Sequence, residues 1–253
     1  MFEIIRIPAF KDNYIWLLRK GASAVAVDPG DAQPVIDVLT QTGLSLRAVF
    51  VTHHHQDHQG GVADLVRQFP VPVFGPAAES ITAVTHPLPG GERIHCDALD
   101  CEVEVLSTPG HTAGHLSYLA CGCLFCGDTL FAGGCGRVFE GSPRQLYDSL
   151  RRLSALPDDT RVFCAHEYTE SNLRFALAVE PGNRRLRDRI DEVAEIRGEG
   201  LATLPSTMIL EKQTNPFLRC SEPEVVASAR MHVARSDDPV EVFAALREWK
   251  NNF

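Results

Sequence analysis

Short apolar runs bounded by Gly, Pro, Asp and Asn fill the first two-thirds of the chain. They predict strands over 2–7, 14–18, 24–28, 48–51, 71–74, 101–106, 116–120, 123–126 and 162–164, rich in Val, Ile, Phe and Cys. Between them Val35, Val38 and Leu39, and again Leu146, Leu150 and Leu153, recur at helical spacing. Ser142-Pro143 ahead of the second set supplies an N-cap and a first-turn proline. Strands interleaved with occasional helices predict a layered α/β architecture. Past residue 170 the strand pattern stops. The segments 172–179, 185–197, 223–233 and 239–248 read as helices, with Leu186, Ile190 and Val193 on one face. Pro181-Gly182-Asn183 and the stretch 198–205 break them. A domain boundary is therefore expected near residue 171, with an α/β domain over 1–171 and a helical domain over 172–253 that is too small for an independent core. There is no internal repeat or low-complexity segment.

Composition narrows the classes. The chain has 253 residues, 44% of them hydrophobic, enough for a substantial core. No apolar run reaches the length of a membrane span, and the first residues lack the pattern of a signal peptide, so a cytoplasmic protein is expected. The net charge of −9 argues against nucleic acid as a partner, although a local basic cluster could still take an anionic small molecule. A monomer acting on a small molecule, away from membranes, is the expectation. The 8 cysteines are scattered through strand-like segments and read as buried thiols of a reducing compartment. Cys121-Gly122-Cys123-Leu124-Phe125-Cys126 has the look of half a zinc knuckle, but no second half exists.

The chemistry concentrates in Thr52-His53-His54-His55-Gln56-Asp57-His58, directly after a predicted buried strand. Imidazoles and a carboxylate this dense are hard to place for packing alone and call for a cation among them. Alternate residues of an extended segment face the same way, so His53 and His55 can converge on one point while Asp57 and His58 face another. His111, Asp128 and His166 each follow another predicted strand, where α/β folds build their sites. These residues divide into two ligand sets, His53, His55 and His111 for one ion and Asp57, His58 and His166 for a second, with Asp128 shared. Nitrogen and oxygen donors without thiolate suit Zn²⁺, Fe²⁺ or Mn²⁺, and spacing does not choose among them. Two divalent ions against two carboxylates leave a positive surplus that would make water a nucleophile at neutral pH. In that scheme Asp57 and Asp128 are the candidate catalytic carboxylates, Asp57 orienting the nucleophile or taking its proton. No G-x-S-x-G elbow, Walker loop, G-x-G-x-x-G or H-E-x-x-H motif competes with this reading. His54 is expected to face away, His115 to be either a supporting or a structural residue, and His86, His95 and His232 to be ordinary surface or packing residues.

The T-H-H-H-x-D-H run, together with T-P-G-H-T-x-G-H at 108–115, G-D-T-L-F at 127–131 and H-E-Y at 166–168, resembles the metallo-β-lactamase superfamily. Gly134-Cys135-Gly136-Arg137 with Glu140-Gly141, Asn215-Pro216-Phe217-Leu218-Arg219 and the closing 246–253 segment narrow the resemblance to the glyoxalase II, or hydroxyacylglutathione hydrolase, family. The resemblance implies a four-layer αββα sandwich followed by a small all-helical domain. It implies hydrolysis of S-D-lactoylglutathione to D-lactate and glutathione by a binuclear centre, in methylglyoxal detoxification. It also implies that Arg137, Phe139, Tyr168, Arg247 and Lys250 bind the glutathione moiety. Phe139 stands where many members have Tyr, and Asn251 where Asp is usual. Rival readings are a glutathione persulfide dioxygenase with a single iron, a β-lactamase or lactonase, and a catalytically silent metal-binding protein.

Overall fold

The computed structural model describes residues 2–232 and 234–253. Val233, the last residue of the helix expected over 223–233, lies outside the described residues. Contacts divide the chain into two compact units, one of Met1–Thr108 and Thr112–Gly127, the other of Pro109–His111 and Asp128–Phe253.

The first unit carries a sheet in the order β1 (Glu3–Ala9), β2 (Asn13–Lys20), β3 (Ser23–Val27), β4 (Ser45–Phe50), β5 (Val73–Pro76) and β6 (His86–Leu88). The first three strands are joined by tight turns and run antiparallel. From β3 to β6 the pairing is parallel. Parallel neighbours need crossovers, and α1 (Ala32–Thr42) and then α2 (Gln56–Gln59) with α3 (Val62–Gln68) supply the first two. Asp31 caps α1 by accepting from Gln33 N at 3.0 Å, and Gly43 ends it at φ 67°, a left-handed position that suits glycine. Val35 and Leu39 of α1 and Val62 and Leu65 of α3 bury against Ile15, Leu17, Ala24, Val49 and Val73 of the sheet. A second, antiparallel meander of β7 (Arg93–Cys96), β8 (Cys101–Ser107), β9 (Leu116–Ala120) and β10 (Cys123–Gly127) completes this unit. Aromatic rings join the two sheets. Phe50 of β4 stacks on Phe74 of β5 at 5.0 Å and meets the edge of Tyr118 of β9 at 4.9 Å.

The second unit contains a short hairpin, β11 (Leu130–Phe131) with β12 (Gly134–Cys135), the pair β13 (Arg161–Cys164) and β14 (Ser206–Thr207), and six helices among the described residues. These are α4 (Pro143–Ser154), α5 (Thr169–Val179), α6 (Arg184–Gly198), α7 (Met208–Thr214), α8 (Pro223–His232) and α9 (Pro239–Asn251). Ser142 and Gln145 form a reciprocal capping box at the start of α4. Leu173 and Ala176 of α5 meet Leu186 and Val193 of α6 in a small apolar cluster. A buried ion pair ties the helices together. Arg189 reaches Glu211 at 2.6 Å and also donates to Thr214 and Ser206, and both charged side chains are nearly inaccessible.

The expected strands are present with ends displaced by up to three residues. The β6, β7, β11, β12 and β14 strands and the α2, α3 and α7 helices were not legible from the pattern. Most are two to seven residues long and carry polar or proline positions, as in His86-Pro87-Leu88. The two-residue β14 is the exception to the absence of strands after residue 170.

Candidate metal centre and anion-binding cavity

In the first unit the ligand-type residues gather where β3 and β4 end. Asp28 follows β3 with φ 51°, a strained conformation for a side-chain-bearing residue. It is buried, and its carboxylate accepts from Thr52 N at 2.7 Å, Thr52 Oγ1 at 2.8 Å and His58 Nδ1 at 3.0 Å. The Thr52 hydroxyl has one proton and gives it to Asp28, so it accepts from His53 Nδ1 at 3.0 Å. One buried carboxylate thereby fixes two imidazoles as Nδ1–H tautomers, with Nε2 as the lone-pair nitrogen of each. His53 Nε2 lies 3.1 Å from His55 Nδ1, and His58 Nε2 lies 3.5 Å from Asp57 Oδ2. Asp57 is held by Asn13 Nδ2 at 2.9 Å. Glycine is required close by. A Cβ on Gly30 would run into the backbone carbonyl of Asp57.

His54 turns to Glu79, whose Oε2 takes both the backbone N at 2.6 Å and Nδ1 at 3.0 Å. The other Glu79 oxygen accepts from Thr112 Oγ1 and from Gly114 N at 3.1 Å. A single buried glutamate therefore pins the T-P-G-H-T-x-G-H loop to the histidine-rich loop. His115 stacks on His53 at 4.8 Å and lies 3.1 Å from Thr108 Oγ1, which makes it a support for that ring. His86 packs tilted against Phe74 at 4.8 Å and His95 pairs with Glu102.

In the second unit Asp128 is buried, with Oδ2 3.5 Å from His111 Nε2 and Oδ1 3.4 Å from His166 Nε2. Each oxygen of one carboxylate thus faces a different imidazole. His111 Nδ1 donates to the carbonyl of Arg137 at 2.9 Å, which again leaves Nε2 as the lone-pair nitrogen. A lone pair facing a carboxylate is repulsive unless a cation, proton or metal lies between them. The same juxtaposition recurs at His58 and Asp57. The donor set in each unit therefore fits a divalent metal. Gly136 approaches the Asp128 backbone so closely that a Cβ there would collide with its carbonyl.

Beside His111 and Asp128 opens a cavity of about 390 Å³, lined also by Phe131, Cys135, Arg137, Phe139, Tyr168, Asn172, Arg247 and Lys250. Tyr168 stacks flat on His166 at 4.7 Å, and Phe131 meets its edge. Phe139 sets its edge to His111 at 5.3 Å and is 62% exposed. Arg247 is buried; its Nη1 donates to the carbonyl of Cys135 at 2.8 Å, its guanidinium lies over Phe217, and its Nε has no hydrogen-bond partner. Lys250 Nζ donates to Ser171 O at 3.1 Å over the ring of Phe175. Burial, with Arg247 and Arg174 nearby, lowers its pKa to about 8. Burial pushes the Cys135 thiol up, against the opposing pull of Arg247.

The expected residues thus fall into two groups. His53, His55, Asp57 and His58 gather in the first unit, and His111, Asp128, His166, Arg137, Phe139, Tyr168, Arg247 and Lys250 in the second. Asn13, Asp28, Glu79 and Asn172 were missed. Asp28-Pro29-Gly30 at a strand end was the signal available for one of them. The wall carrying Cys135 and Arg137 is anchored by Asn215, whose Nδ2 donates to Phe131 O at 3.2 Å and Gly134 O at 2.9 Å. Glu211 adds a bond from Gly133 N at 2.8 Å.

Comparison with known proteins identifies the family. The profile of the metallo-beta-lactamase superfamily matches residues 10–166, and that of the hydroxyacylglutathione hydrolase C-terminus matches 167–253. The hydroxyacylglutathione hydrolase of Methylobacillus flagellatus is 52% identical over 253 residues, covering 100% of both chains. The crystal structure of ETHE1 from Myxococcus xanthus superposes with a TM-score of 0.66 at 26% identity, covering 99% of this chain and 98% of that one. The di-iron-bound form of TTHA1623 superposes with a TM-score of 0.60 at 27% identity, covering 85% of this chain and 100% of that one. The fold is the α/β metallo-β-lactamase fold with a helical C-terminal region, and its histidine and aspartate clusters are those of a divalent-metal protein. The chain belongs to the metallo-β-lactamase superfamily and, within it, to the hydroxyacylglutathione hydrolase family.

Proposed function

We propose that the chain hydrolyses S-D-lactoylglutathione and related S-2-hydroxyacylglutathiones to the 2-hydroxy acid and glutathione, using two divalent ions, zinc before iron or manganese. The observation that carries this reading is in the second unit. Asp128 offers one oxygen toward His111 and one toward His166, beside a cavity that holds Arg137, Arg247 and Lys250. A carboxylate disposed in this way suits a shared ligand. Three cations in a protein of net charge −9 suit a substrate bearing two carboxylates. The hydroxyacylglutathione hydrolase relative and the di-iron neighbour support the same reading.

On this reading the ligands are His53, His55 and His111 for one ion, Asp57, His58 and His166 for the other, with Asp128 common to both. When bound, the ions supply Lewis acidity and make water nucleophilic at neutral pH. The protein's own part is orientation. Asp28, through Thr52 and directly, and the carbonyl of Arg137 keep three imidazoles in the tautomer that ligates through Nε2. Asn13 fixes Asp57. Arg247 Nε and Lys250 Nζ take the glutathione carboxylates, and Tyr168 and Phe131 give the cavity an apolar wall. The leaving group is a thiolate whose acid has a pKa of about 8.5, so it departs without a general acid. The protein acts as a monomer in the cytoplasm, in keeping with its free cysteines.

The test is to load the chain with zinc, count bound metal and follow loss of thioester absorbance with S-D-lactoylglutathione. Asp128→Ala is expected to lose metal and turnover together. Full rate and two retained ions in that variant would remove Asp128 from the centre and end this reading. Oxygen uptake with glutathione persulfide, in place of thioester cleavage, would favour a dioxygenase.

A further inference from the structure

Three cysteines lie near the end of the β7–β8 hairpin, on elements of the first unit that the chemistry above does not use. Cys96 and Cys101 are direct cross-strand partners. Cys121 occupies the two-residue turn between β9 and β10 with φ 48°, followed by Gly122 at φ 74°. The register Val103↔Ala120, and then Ala120↔Cys123, brings this turn alongside the start of β8. Cys121 is the neighbour that, after burial, most raises the Cys101 thiol pKa. Cys121 is exposed, Cys101 half-buried and Cys96 buried. Among the described residues no three thiols converge as metal ligands, so the cluster is a dithiol rather than a metal cradle.

We propose that Cys121 and Cys101 form a reversible disulfide when the protein meets a hydroperoxide, with Cys121 as the sulfur attacked first and Cys101 as the resolving thiol. Exposure assigns the order, because peroxide must reach the first sulfur from solvent. The Cys121 thiolate attacks the peroxide, the O–O bond breaks, one oxygen stays on sulfur as a sulfenic acid and the other leaves as water. The Cys101 sulfur then attacks the Cys121 sulfur. The S–S bond forms, the S–O bond breaks, and the hydroxyl departs as water with the Cys101 proton. Two thiols give up two electrons and the hydroperoxide accepts them. In the reduced pair burial and the neighbouring Cys121 and Cys96 sulfurs raise the Cys101 pKa to about 12, in keeping with Cys101 as the second thiol to react.

The experiment treats the reduced full-length chain with a small excess of hydrogen peroxide, then counts free thiols after denaturation and maps linked peptides by mass spectrometry. The expected result is a fall of two from the 8 thiols present, a Cys101–Cys121 linkage and full recovery with dithiothreitol. Cys101→Ser should stop at a sulfenic acid that dimedone traps on Cys121. Cys121→Ser, a change at an exposed turn that leaves the core intact, should keep its remaining thiols at the same dose. Cys96→Ser should close the same bridge as the parent chain. A Cys96–Cys101 linkage, an undiminished thiol count in the parent chain, or equal thiol loss in Cys121→Ser would each overturn the proposal.

Discussion

On the proposed reading Lys250 ties substrate affinity to pH in a way that can be worked out in advance. Its amine has a pKa of about 8 in the free protein, lowered first by burial and then by Arg247 and Arg174. A substrate carboxylate in the cavity favours the charged form and restores the pKa toward its ordinary value near 10.4. Binding therefore takes up a proton above pH 8, and affinity must fall as pH rises through that value. At pH 9 only about one free chain in ten keeps the charge, so the full effect between pH 7 and pH 9 is about tenfold in KM. Lys250 is partly exposed, and solvent screening reduces this to about three- to tenfold. Lys250→Met should raise KM at pH 7 by about 10- to 100-fold, the loss of one charged hydrogen bond, with kcat little changed. The assay is thioester hydrolysis by the zinc-loaded protein in buffers from pH 7 to 9, parent and variant side by side. Titration of the substrate itself is common to both, so the difference between the two slopes isolates Lys250. Parallel slopes would refute the reasoning. The sign for stability is opposite to that of the usual lysine pair. The folded pKa is the lower one, so Lys250 costs stability below pH 8 and the cost is relieved as pH rises toward 10.5.

Glu211→Ala leaves the Arg189 guanidinium buried without its counter-charge, which should cost about 3–5 kcal/mol and lower Tm by on the order of 10 °C. Calorimetry checks it, and a shift under about 2 °C would mean that the pair is worth little. Asp28→Ala removes the acceptor that orients His58 directly and His53 through Thr52. Metal affinity, read by competition with a chelator, should fall about 10- to 100-fold, and an unchanged affinity would count against tautomer control by Asp28.

The residues proposed as metal ligands stand out in the sequence because they follow predicted strands closely and four of them fall within six residues. A strand's apolar run announces itself, and the residue just after it is the place where a polar side chain has a purpose. Their supports were not legible. Asn13, Asp28 and Glu79 lie remote in sequence from what they hold, and in a linear chain an isolated acid or amide looks like any surface residue. The segment Asn215-Pro216-Phe217-Leu218-Arg219 shows the converse. As a string it marked only a family likeness. Folded, Asn215 holds the β11–β12 hairpin while Arg219 makes a two-pronged bond to Glu180 at 2.8 and 2.7 Å. The helix over 143–154 was readable because Ser142-Pro143 declares its start, whereas β7 alternates outward Arg93 and His95 with inward Ile94 and Cys96 over only four residues, too short a run to stand out as a strand.

The Asn215 amide has a consequence for anyone recombining members of this superfamily. The carbonyls it grips belong to a hairpin more than eighty positions earlier in the chain, the one that leads into Arg137. A chimaera spliced at the start of the helical region would import a foreign clamp for a native loop, and recognition would fail through a slack wall even with every ligand-contacting side chain preserved. The exchangeable cassette is discontinuous. It must carry 128–137 together with 211–215, and a library that shuffles the tail alone is sampling backbone mismatch when it sets out to sample specificity.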